Sequence, residues 1–200
     1  MTLEDYRFLF FAATLVLALV AASPALSLVV PFGNGLEPLS EIWLLGPSHM
    51  LEDLPSEIRA NSSYGIFVGV DNQMGAMSYY RIDVKLRNST QPLPDKLTGE
   101  PSPLRPLHEF WFFVADGDTW EVPMSFAFHN LSFQNDVAFV GSITIENVTL
   151  LVERPSVWDS EKKGFFYELF FELYLYDLRS QGFQFHNRYA KLQLNATNFR

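Results

Sequence analysis

Apolar and polar positions alternate with a period of two through most of the chain after residue 36. The pattern is clearest in YYRIDVKLR, where Tyr80, Ile82, Val84 and Leu86 alternate with charged residues. Successive side chains of a β-strand point to opposite faces, so this segment is predicted to be a half-buried strand. Similar alternation recurs at YGIFVGV, TWEVPMSFAFHN, VAFVGSITIENVTLLV and FFYELFFELYLYD. Seven or so strands with turns between them favour a mainly β fold, an antiparallel immunoglobulin-like β-sandwich.

Three interruptions of this pattern carry their own expectations. Pro123 lies inside a predicted strand and indicates an edge strand or a β-bulge, because proline donates no hydrogen bond to a neighbouring strand. The apolar parity of FQFHNRYAKLQLNAT switches near residues 186 to 190, which a β-bulge would explain. The proline-rich stretch from Gln91 to Pro106 is predicted to be a long irregular connection.

The N-terminal region contains the longest apolar run of the chain. Residues 8 to 30 carry no charge, and as an α-helix rising ~1.5 Å per residue they would cross the ~30 Å hydrocarbon core of a bilayer. A cleaved signal peptide is the alternative, since small residues at 21 to 25 would suit a peptidase. The run is about twice the usual apolar region of such a peptide, which favours a retained transmembrane helix. We expect a cytoplasmic N-terminus at 1–7, a helix at 8–30, a linker at 31–39 and an extracytoplasmic domain at 40–200.

Two independent patterns predict that the C-terminal domain lies outside the cell. Arg7 precedes the apolar run, whereas residues 8 to 58 contain no Lys or Arg, so the positive side faces the cytoplasm. Five asparagines stand in Asn-x-Ser/Thr acceptors for N-glycosylation, far more than chance would place there: Asn61, Asn88, Asn130, Asn147 and Asn195. The expected location is therefore the cell membrane, with a single pass, a glycosylated outer domain and covalent N-glycans.

Small residues recur at helical spacing within the predicted transmembrane helix. Thr14, Ala18 and Ala22 follow the small-x-x-x-small pattern that allows helix backbones to approach closely in lipid. Pro24 removes a backbone hydrogen bond and is expected to kink or end the helix. A helix of another membrane protein, or of a second copy, is therefore a candidate partner.

Composition and motifs argue against several classes of function. The chain has no cysteine, which excludes disulfides, thiolate metal sites and a thiol nucleophile. Its formal net charge of -9 disfavours nucleic acid as a partner. The four histidines are too scattered in sequence to suggest a metal site: His49, His108, His129 and His186. With no phosphate-binding glycine loop and no hydrolase motif, we expect neither a cofactor nor an enzyme.

Two polar pairs on predicted strands are candidate sites. Glu168 and Glu172 share one strand face at a spacing of roughly 13 Å, too far apart for a glycosidase pair. They are interpreted as outward charges that protect an aromatic strand from edge pairing. His186 and Arg188 could bind a carboxylate or a sugar, although such a pair more often stabilises a bulge by bonding backbone carbonyls.

Four segments resemble a known family: SEIWLLGP at 40–47, IFVGVDNQ at 66–73, FFELYLYD at 170–177 and FHNRYAKLQLNAT at 185–197. Together they are similar to the archaeal membrane-protein family with domain of unknown function 1616, over about residues 36 to 197. The resemblance implies an archaeal origin, a membrane anchor and a β-rich outer domain, and it implies no catalytic residues.

The leading hypothesis is a non-catalytic accessory or structural subunit of an archaeal envelope or membrane complex. The first alternative is a pilin-like filament subunit, whose hydrophobic helix would lie beneath a glycosylated β head. The second alternative is a glycan-binding or glycan-modifying protein that uses exposed aromatics with His186 and Arg188.

Overall fold

A computed structural model describes residues 6, 10, 11, 13–17 and 38–197 of the chain. The chain divides into two compact units, Met1–Pro38 and Leu39–Arg200. In the first unit residues 13–17 are helical, and the Thr14 hydroxyl donates a hydrogen bond of 2.5 Å to the Phe10 carbonyl. Among the described residues, no helix is both long and apolar enough to span a bilayer. Most of the predicted helix at 8–30, including Ala18 and Ala22, lies outside the described residues, so the transmembrane helix and its packing face stay predictions.

The second unit is built from strands. Its described part contains a short 3₁₀ helix at Leu51–Asp53 and the following strands: β1 Leu39–Leu45, β2 Glu57–Ile58, β3 Ser63–Gln73, β4 Ser78–Asn88, β5 His108–Val114, β6 Thr119–Gln134, β7 Val137–Ile145, β8 Val148–Val157, β9 Phe165–Asp177 and β10 Gly182–Ala196.

The strands form two five-stranded sheets. The first sheet, called sheet A, has the order β1-β3-β6-β7-β8, and the second, called sheet B, has the order β2-β10-β9-β4-β5. Neighbouring strands are antiparallel, except that the two-residue strand β2 runs parallel to β10. The prediction of a mainly β, antiparallel-rich sandwich is confirmed.

The described residues contain more strands than the seven or so predicted, partly because one predicted strand is a hairpin. VAFVGSITIENVTLLV folds as β7 and β8, with Ile145 paired to Val148 around a two-residue turn. Glu146 adopts a φ of 53° in this turn. The turn could not be predicted from the sequence, because the apolar alternation continues through it and it contains no glycine or proline.

The core lies between the two sheets and follows the predicted parity. In β4 the side chains of Tyr80, Ile82, Val84 and Leu86 are fully buried. The matching face of β9 contributes Tyr167, Leu169, Phe171 and Leu173, and sheet A contributes Ile66, Val68, Val70, Met124, Phe126, Phe128, Val140 and Ile143. Burial of this apolar area is the main stabilising contribution of a two-sheet fold without disulfides.

The structure tests the predictions made for the three interruptions of the strand pattern. The β-bulge in the last strand is confirmed, because the register of β10 against β9 shifts between Phe185 and Arg188. Residues 91–107 contain no strand and form the predicted irregular connection. The β-bulge alternative for Pro123 is wrong, because the register of β6 against β3 is unbroken from Thr119 to Ala127. The edge-strand alternative holds only locally, since β6 as a whole lies in the interior of sheet A. Pro123 pairs with Phe67 of β3, while the pairing of β7 reaches only to Phe126, so at Pro123 the strand has a neighbour on one side.

Candidate functional site

The strand register gives the sandwich two distinct ends. At the first, called the Leu39 end, β1 begins opposite Gln73, and strands of sheet B begin or finish at Ser78, Val114, Asp177 and Gly182. At the second, called the acceptor end, strands begin or finish at Ser63, Asn88, Phe165 and Ala196. Residue 39, where the first unit joins the second, is therefore at the end opposite Asn88.

All five predicted glycan acceptors lie at or near the acceptor end. Asn61 precedes β3, Asn88 is the last residue of β4, and Asn195 is the penultimate residue of β10. Asn130 lies on β6 beyond Ala127, the residue that pairs with Ser63. Asn147 lies in the turn that follows Ile145, whose partner Phe126 in turn pairs with Tyr64 at the start of β3. Sequence spacing alone did not predict this shared position.

A hydrogen-bond chain joins two of the acceptor sequences across sheet A. The His129 ring bonds the Asn61 side-chain oxygen at 2.7 Å through Nδ1 and the Thr144 hydroxyl at 2.8 Å through Nε2. Thr144 continues to Thr149, the hydroxyl residue of the Asn147 acceptor, at 2.8 Å. Since an amide oxygen only accepts, Nδ1 donates to Asn61. His129 therefore orders the Asn61 side chain without using the nitrogen that would receive a glycan.

Three acceptors are exposed. Asn61 and Asn130 adopt positive φ values of 62° and 55°, and Asn147 lies in the β7–β8 turn. Asn130 stands at a break in the β6–β7 pairing, opposite Gly141, where a Cβ atom would contact the Asn130 side chain. Exposure and irregular backbone are what an acceptor requires if an enzyme is to reach it on the folded domain.

The other two acceptors are held by the fold. The Asn88 side-chain nitrogen donates to the Pro155 carbonyl at 2.8 Å, and its oxygen accepts from the Thr90 hydroxyl at 2.9 Å. The Asn195 side-chain oxygen accepts from the Phe165 amide at 3.0 Å, and the side chain lies against Gly164. Both side chains are half-buried and serve as structural ties between neighbouring segments.

The Leu39 end carries an exposed apolar surface on sheet B. Its most exposed members come from two turns and the edge strand: Met77 at 69%, Leu178 at 83%, Phe113 at 64% and Trp111 at 49%. Between them lies a groove of about 560 Å³ lined by Met77, Ser78, Tyr79, Phe113, Leu175, Tyr176 and Leu178. We call this the Leu39-end surface. Monomeric soluble proteins seldom leave such a continuous patch uncovered without a use for it.

Contacts between the rings hold this surface in one arrangement. Tyr79 stacks on Phe113 at 4.2 Å between ring centroids, and Phe183 meets Tyr79 edge-on at 5.0 Å. The Arg81 guanidinium lies 5.4 Å from the Trp111 ring and is anchored by Asp83 at 2.7 Å. The aromatic side chains are therefore ordered before any partner binds.

His186 and Arg188 lie on the two sides of the bulge in β10. Arg188 is exposed and donates to the Asn187 carbonyl at 3.2 Å, as a bulge-stabilising residue would. Asn187 has a φ of 55° and donates through its side chain to the Lys96 carbonyl at 3.1 Å. Burial, followed by the nearby Arg188 charge, lowers the pKa of His186. His186 also lines a second groove of about 440 Å³ that shares Leu175, Tyr176 and Leu178 with the first.

The interpretation of Glu168 and Glu172 as outward charges on an edge strand is wrong. Strand β9 lies in the middle of sheet B, and the proline-rich connection covers its outer face. Glu172 is fully buried and accepts from Lys85 Nζ at 2.6 Å and from the Ser102 amide at 2.7 Å. Glu168 lies between Arg87 at 3.2 Å and Lys191 at 3.0 Å.

The buried charges tie the fold together rather than forming a reactive centre. Lys85 Nζ also donates to the Ser102 carbonyl at 2.9 Å, so one ion pair fixes the proline-rich connection to the sheet. The Tyr174 hydroxyl donates to Glu172 at 2.8 Å, and burial together with the Glu172 charge raises the pKa of Tyr174. Burial likewise raises the pKa of Asp83. In the described part of the chain, no three His, Asp or Glu side chains are grouped so that they could hold a metal ion.

Sequence reasoning missed the Leu39-end surface, although a signal was present. In HEFWFFV, the side chains of Phe110 and Phe112 pack towards the core, whereas Trp111 and Phe113 have the opposite parity. A strand with large aromatics on both faces is expected to bury one face in the core and to offer the other to a second layer or a partner.

Fold and surface together define this chain as a two-sheet β-sandwich protein with an aromatic surface at one end. Comparison of the sequence with family models and with curated proteins gives no match. Among solved structures it is similar to a β-glucosidase from Listeria innocua, in complex with gluconolactone or with glucose, at 10% identity and a TM-score of 0.39. That match covers 82% of this chain and only 16% of the glucosidase chain.

A second similar structure is the ASH/PapD-like domain 7 of human CEP192, at 7% identity and a TM-score of 0.30. The match covers 80% of this chain and 85% of that one. At these TM-scores neither structure assigns a family or an activity. The resemblance to the family with domain of unknown function 1616 therefore stays a prediction.

Proposed function

We propose that this chain is a single-pass membrane protein whose sandwich lies outside the cell, carries N-glycans and serves as a non-catalytic accessory or structural subunit of an envelope or membrane complex. The apolar run at 8–30 supplies the anchor, and the sandwich supplies the surfaces. In line with the family resemblance, the host is an archaeon.

The observation that carries the proposal is the position of the five acceptors. They lie at or near the end of the sandwich opposite Leu39. Leu39 is the residue at which the proposed anchor joins the sandwich. Glycans on Asn61, Asn88, Asn130 and Asn195 would lie on the side away from the membrane and leave the Leu39 end free for contacts. Three of these acceptors are exposed, which supports modification of the folded domain.

The arrangement of charged groups supports a non-catalytic role. Lys85 and Glu172 are paired with each other and with the backbone of Ser102. Catalytic groups with perturbed pKa values usually face a cleft that a substrate can enter. Here the Tyr174 hydroxyl, whose pKa is raised, donates to Glu172 inside the structure. His186, whose pKa is lowered, does line a groove and belongs to the second candidate below.

We further assign the sandwich to the immunoglobulin-like type. Supporting this assignment, consecutive strands cross between the sheets at five places, β1 to β2, β2 to β3, β3 to β4, β5 to β6 and β8 to β9. Such crossings, with two packed antiparallel sheets, are typical of Greek-key sandwiches.

The proposal is tested by expressing the full chain with a C-terminal epitope in an archaeal host that glycosylates Asn-x-Ser/Thr. We expect protease added to intact cells to remove the epitope without lysis of the cells. Replacing Asn61, Asn130 and Asn147 together by Gln should lower the mass by that of the attached glycans. An epitope protected in sealed cells would contradict the proposed orientation.

Partnership is tested by purification in mild detergent after cross-linking. A stoichiometric second protein, or a defined oligomer of this chain, is expected. Recovery of the lone polypeptide only would exclude the subunit role, and fibres that contain the processed chain would favour the pilin-like alternative.

Glycan binding is the second candidate, and the groove beside His186 favours it. This groove combines the aromatic rings of Tyr176 and Phe185 with the polar side chains of Arg179, Gln184 and His186. Calorimetry of the full chain with oligosaccharides released from the host envelope would test it. No binding by the natural chain, or unchanged binding after replacing His186 and Arg188 by Ala, would remove this candidate.

A further inference from the structure

The Leu39-end surface requires something to cover it. Leu178 and Met77 extend from the β9–β10 and β3–β4 turns, and Phe113 and Trp111 extend from the edge strand β5. Their exposed fractions range from 49% to 83%, so each side chain is at least about half open to solvent. Ring stacking between Tyr79 and Phe113 nevertheless keeps the patch ordered.

Chain connectivity limits what can lie near this surface. Leu39 pairs with Gln73, and only residues 74–77 separate β3 from Ser78 on the apolar side. If the helix ends at residue 30, the nine steps from there to Leu39 can extend to roughly 32 Å at most, at ~3.3–3.6 Å per residue. The Leu39 end of the sandwich therefore remains within that distance of the bilayer surface.

The chemical composition of the surface matches the interface of a bilayer. Tryptophan and tyrosine concentrate at the headgroup level, where one part of the ring is apolar and another part is wet. Trp111, Tyr79 and Tyr176 are such residues, and Met77 and Leu178 add aliphatic area at the tips of the turns.

The charges near this surface are of both signs: Arg81 is paired with Asp83 at 2.7 Å, Arg179 lines the neighbouring groove, and two carboxylates lie beside the turns. Asp116 accepts from the Gly75 amide at 2.6 Å, and Asp177 accepts from the Arg179 and Ser180 amides at 3.0 and 3.2 Å. These carboxylates would be repelled by anionic headgroups. Contact with a membrane would thus depend on the aromatic and aliphatic side chains, and would persist at high salt.

We propose that the Leu39-end surface rests on the outer leaflet of the membrane, with Trp111, Phe113 and Leu178 at the level of the lipid headgroups. This inference rests on the proposed anchor. It orients the sandwich, with the acceptor end away from the lipid and the aromatic surface towards it.

The absence of cysteine from the sequence permits a direct test with single labels. Leu178→Cys places a label on the Leu39-end surface, and Leu151→Cys places one on β8 near the acceptor end. The two leucines are matched, with exposed fractions of 83% and 80%. Each full-length variant is spin-labelled and reconstituted into vesicles of zwitterionic phosphatidylcholine, and collision with oxygen, which concentrates in lipid, is compared with collision with a water-soluble nickel chelate.

We expect a several-fold higher oxygen-to-nickel ratio for the label at 178 than for the label at 151, unchanged by raised salt. Equal ratios on chains that float with the vesicles would overturn the lipid contact and leave the anchor standing. A label at 178 shielded from both reagents would indicate a protein partner and would also overturn the lipid contact. Failure of the chain to float with the vesicles would instead refute the anchor, and with it the proposed function.

Discussion

The Lys85 ammonium lies 2.6 Å from the Glu172 carboxylate, and the side chains are 3% and 0% exposed. The pair joins the neighbouring strands β4 and β9, and both side chains also bond the backbone of Ser102 in the proline-rich connection. This arrangement explains how an irregular connection stays in place over a sheet face that would otherwise expose two charges.

Lys85→Met is expected to lower the free energy of unfolding by about 3–5 kcal/mol, because it leaves the buried Glu172 charge without its partner. Urea unfolding of the full chain, followed by tryptophan fluorescence, would measure this. Lys191→Met is the matched control: Lys191 pairs with Glu168 but is 47% exposed, so its loss should cost at most about 1 kcal/mol. Equal effects of the two substitutions would show that the Lys85 pair contributes little.

His186 should make stability depend on pH. Burial lowers the pKa of His186 in the folded state, so between that value and the ordinary value of about 6.5 the unfolded chain binds more protons. Stability is then highest above pH 6.5 and decreases as the pH falls through this window. Comparison of melting temperatures at pH 7 and pH 5 should give a smaller decrease for His186→Gln than for the natural chain.

The charge of Arg188 contributes to the same shift. Arg188→Gln is expected to raise the pKa of His186 towards its ordinary value, by less than full exposure of the ring would. An NMR titration of the His186 ring resonances would measure this directly. A fall in the pKa on removing Arg188 would contradict the assigned cause.

Patterns that depend on local geometry could be predicted from the sequence. The parity switch in FQFHNRYAKLQLNAT predicted the bulge in β10, because each residue added to a strand reverses the face of all that follow. Alternation in YYRIDVKLR predicted the buried row from Tyr80 to Leu86 for the same reason.

Features that depend on which strands become neighbours could not be predicted. Glu172 reads as an exposed charge until the proline-rich connection is known to cover it. The grouping of the acceptors likewise follows from the register between strands that are distant in sequence. Asn88 of β4 and Leu194 of β10, the residue before the acceptor Asn195, both pair with Tyr167 of β9. Trp111 and Phe113 showed unusual parity, but only the sheet order places them at an edge.

Two glycines on β3 provide a test of how Trp43 is seated. A Cβ atom at Gly69 would overlap the Trp43 indole that lies across it, whereas a Cβ atom at Gly65 would meet nothing within 4 Å. Gly69→Ala is expected to lower the free energy of unfolding by about 1–3 kcal/mol, as overpacking does. Gly65→Ala on the same strand should be neutral or slightly stabilising. Calorimetric melting of both variants would measure the difference, and a tolerated Gly69→Ala would mean that the indole moves freely.

The acceptors should separate into structural and modifiable ones. Asn195→Gln moves the side-chain oxygen away from the Phe165 amide and forces a longer side chain against Gly164, so we expect a loss of about 1–3 kcal/mol even in unglycosylated protein. Asn147→Gln, in an exposed turn, should leave the melting temperature unchanged. Thermal melts of protein from a host without N-glycosylation would measure both.

In a glycosylating host the two positions should also differ in occupancy. Peptide mass spectrometry is expected to find glycan on Asn147, whose side chain is exposed, and little on Asn195, whose neighbour Thr197 donates its amide to the Ile58 carbonyl at 3.1 Å and is half-buried. If the transfer precedes folding, the two positions will be modified equally, and the Asn195 glycan will then destabilise the sandwich because it must displace the contact with Gly164. Occupancy and melting temperature measured on the same samples therefore establish whether the fold or the order of events decides which acceptors carry glycans.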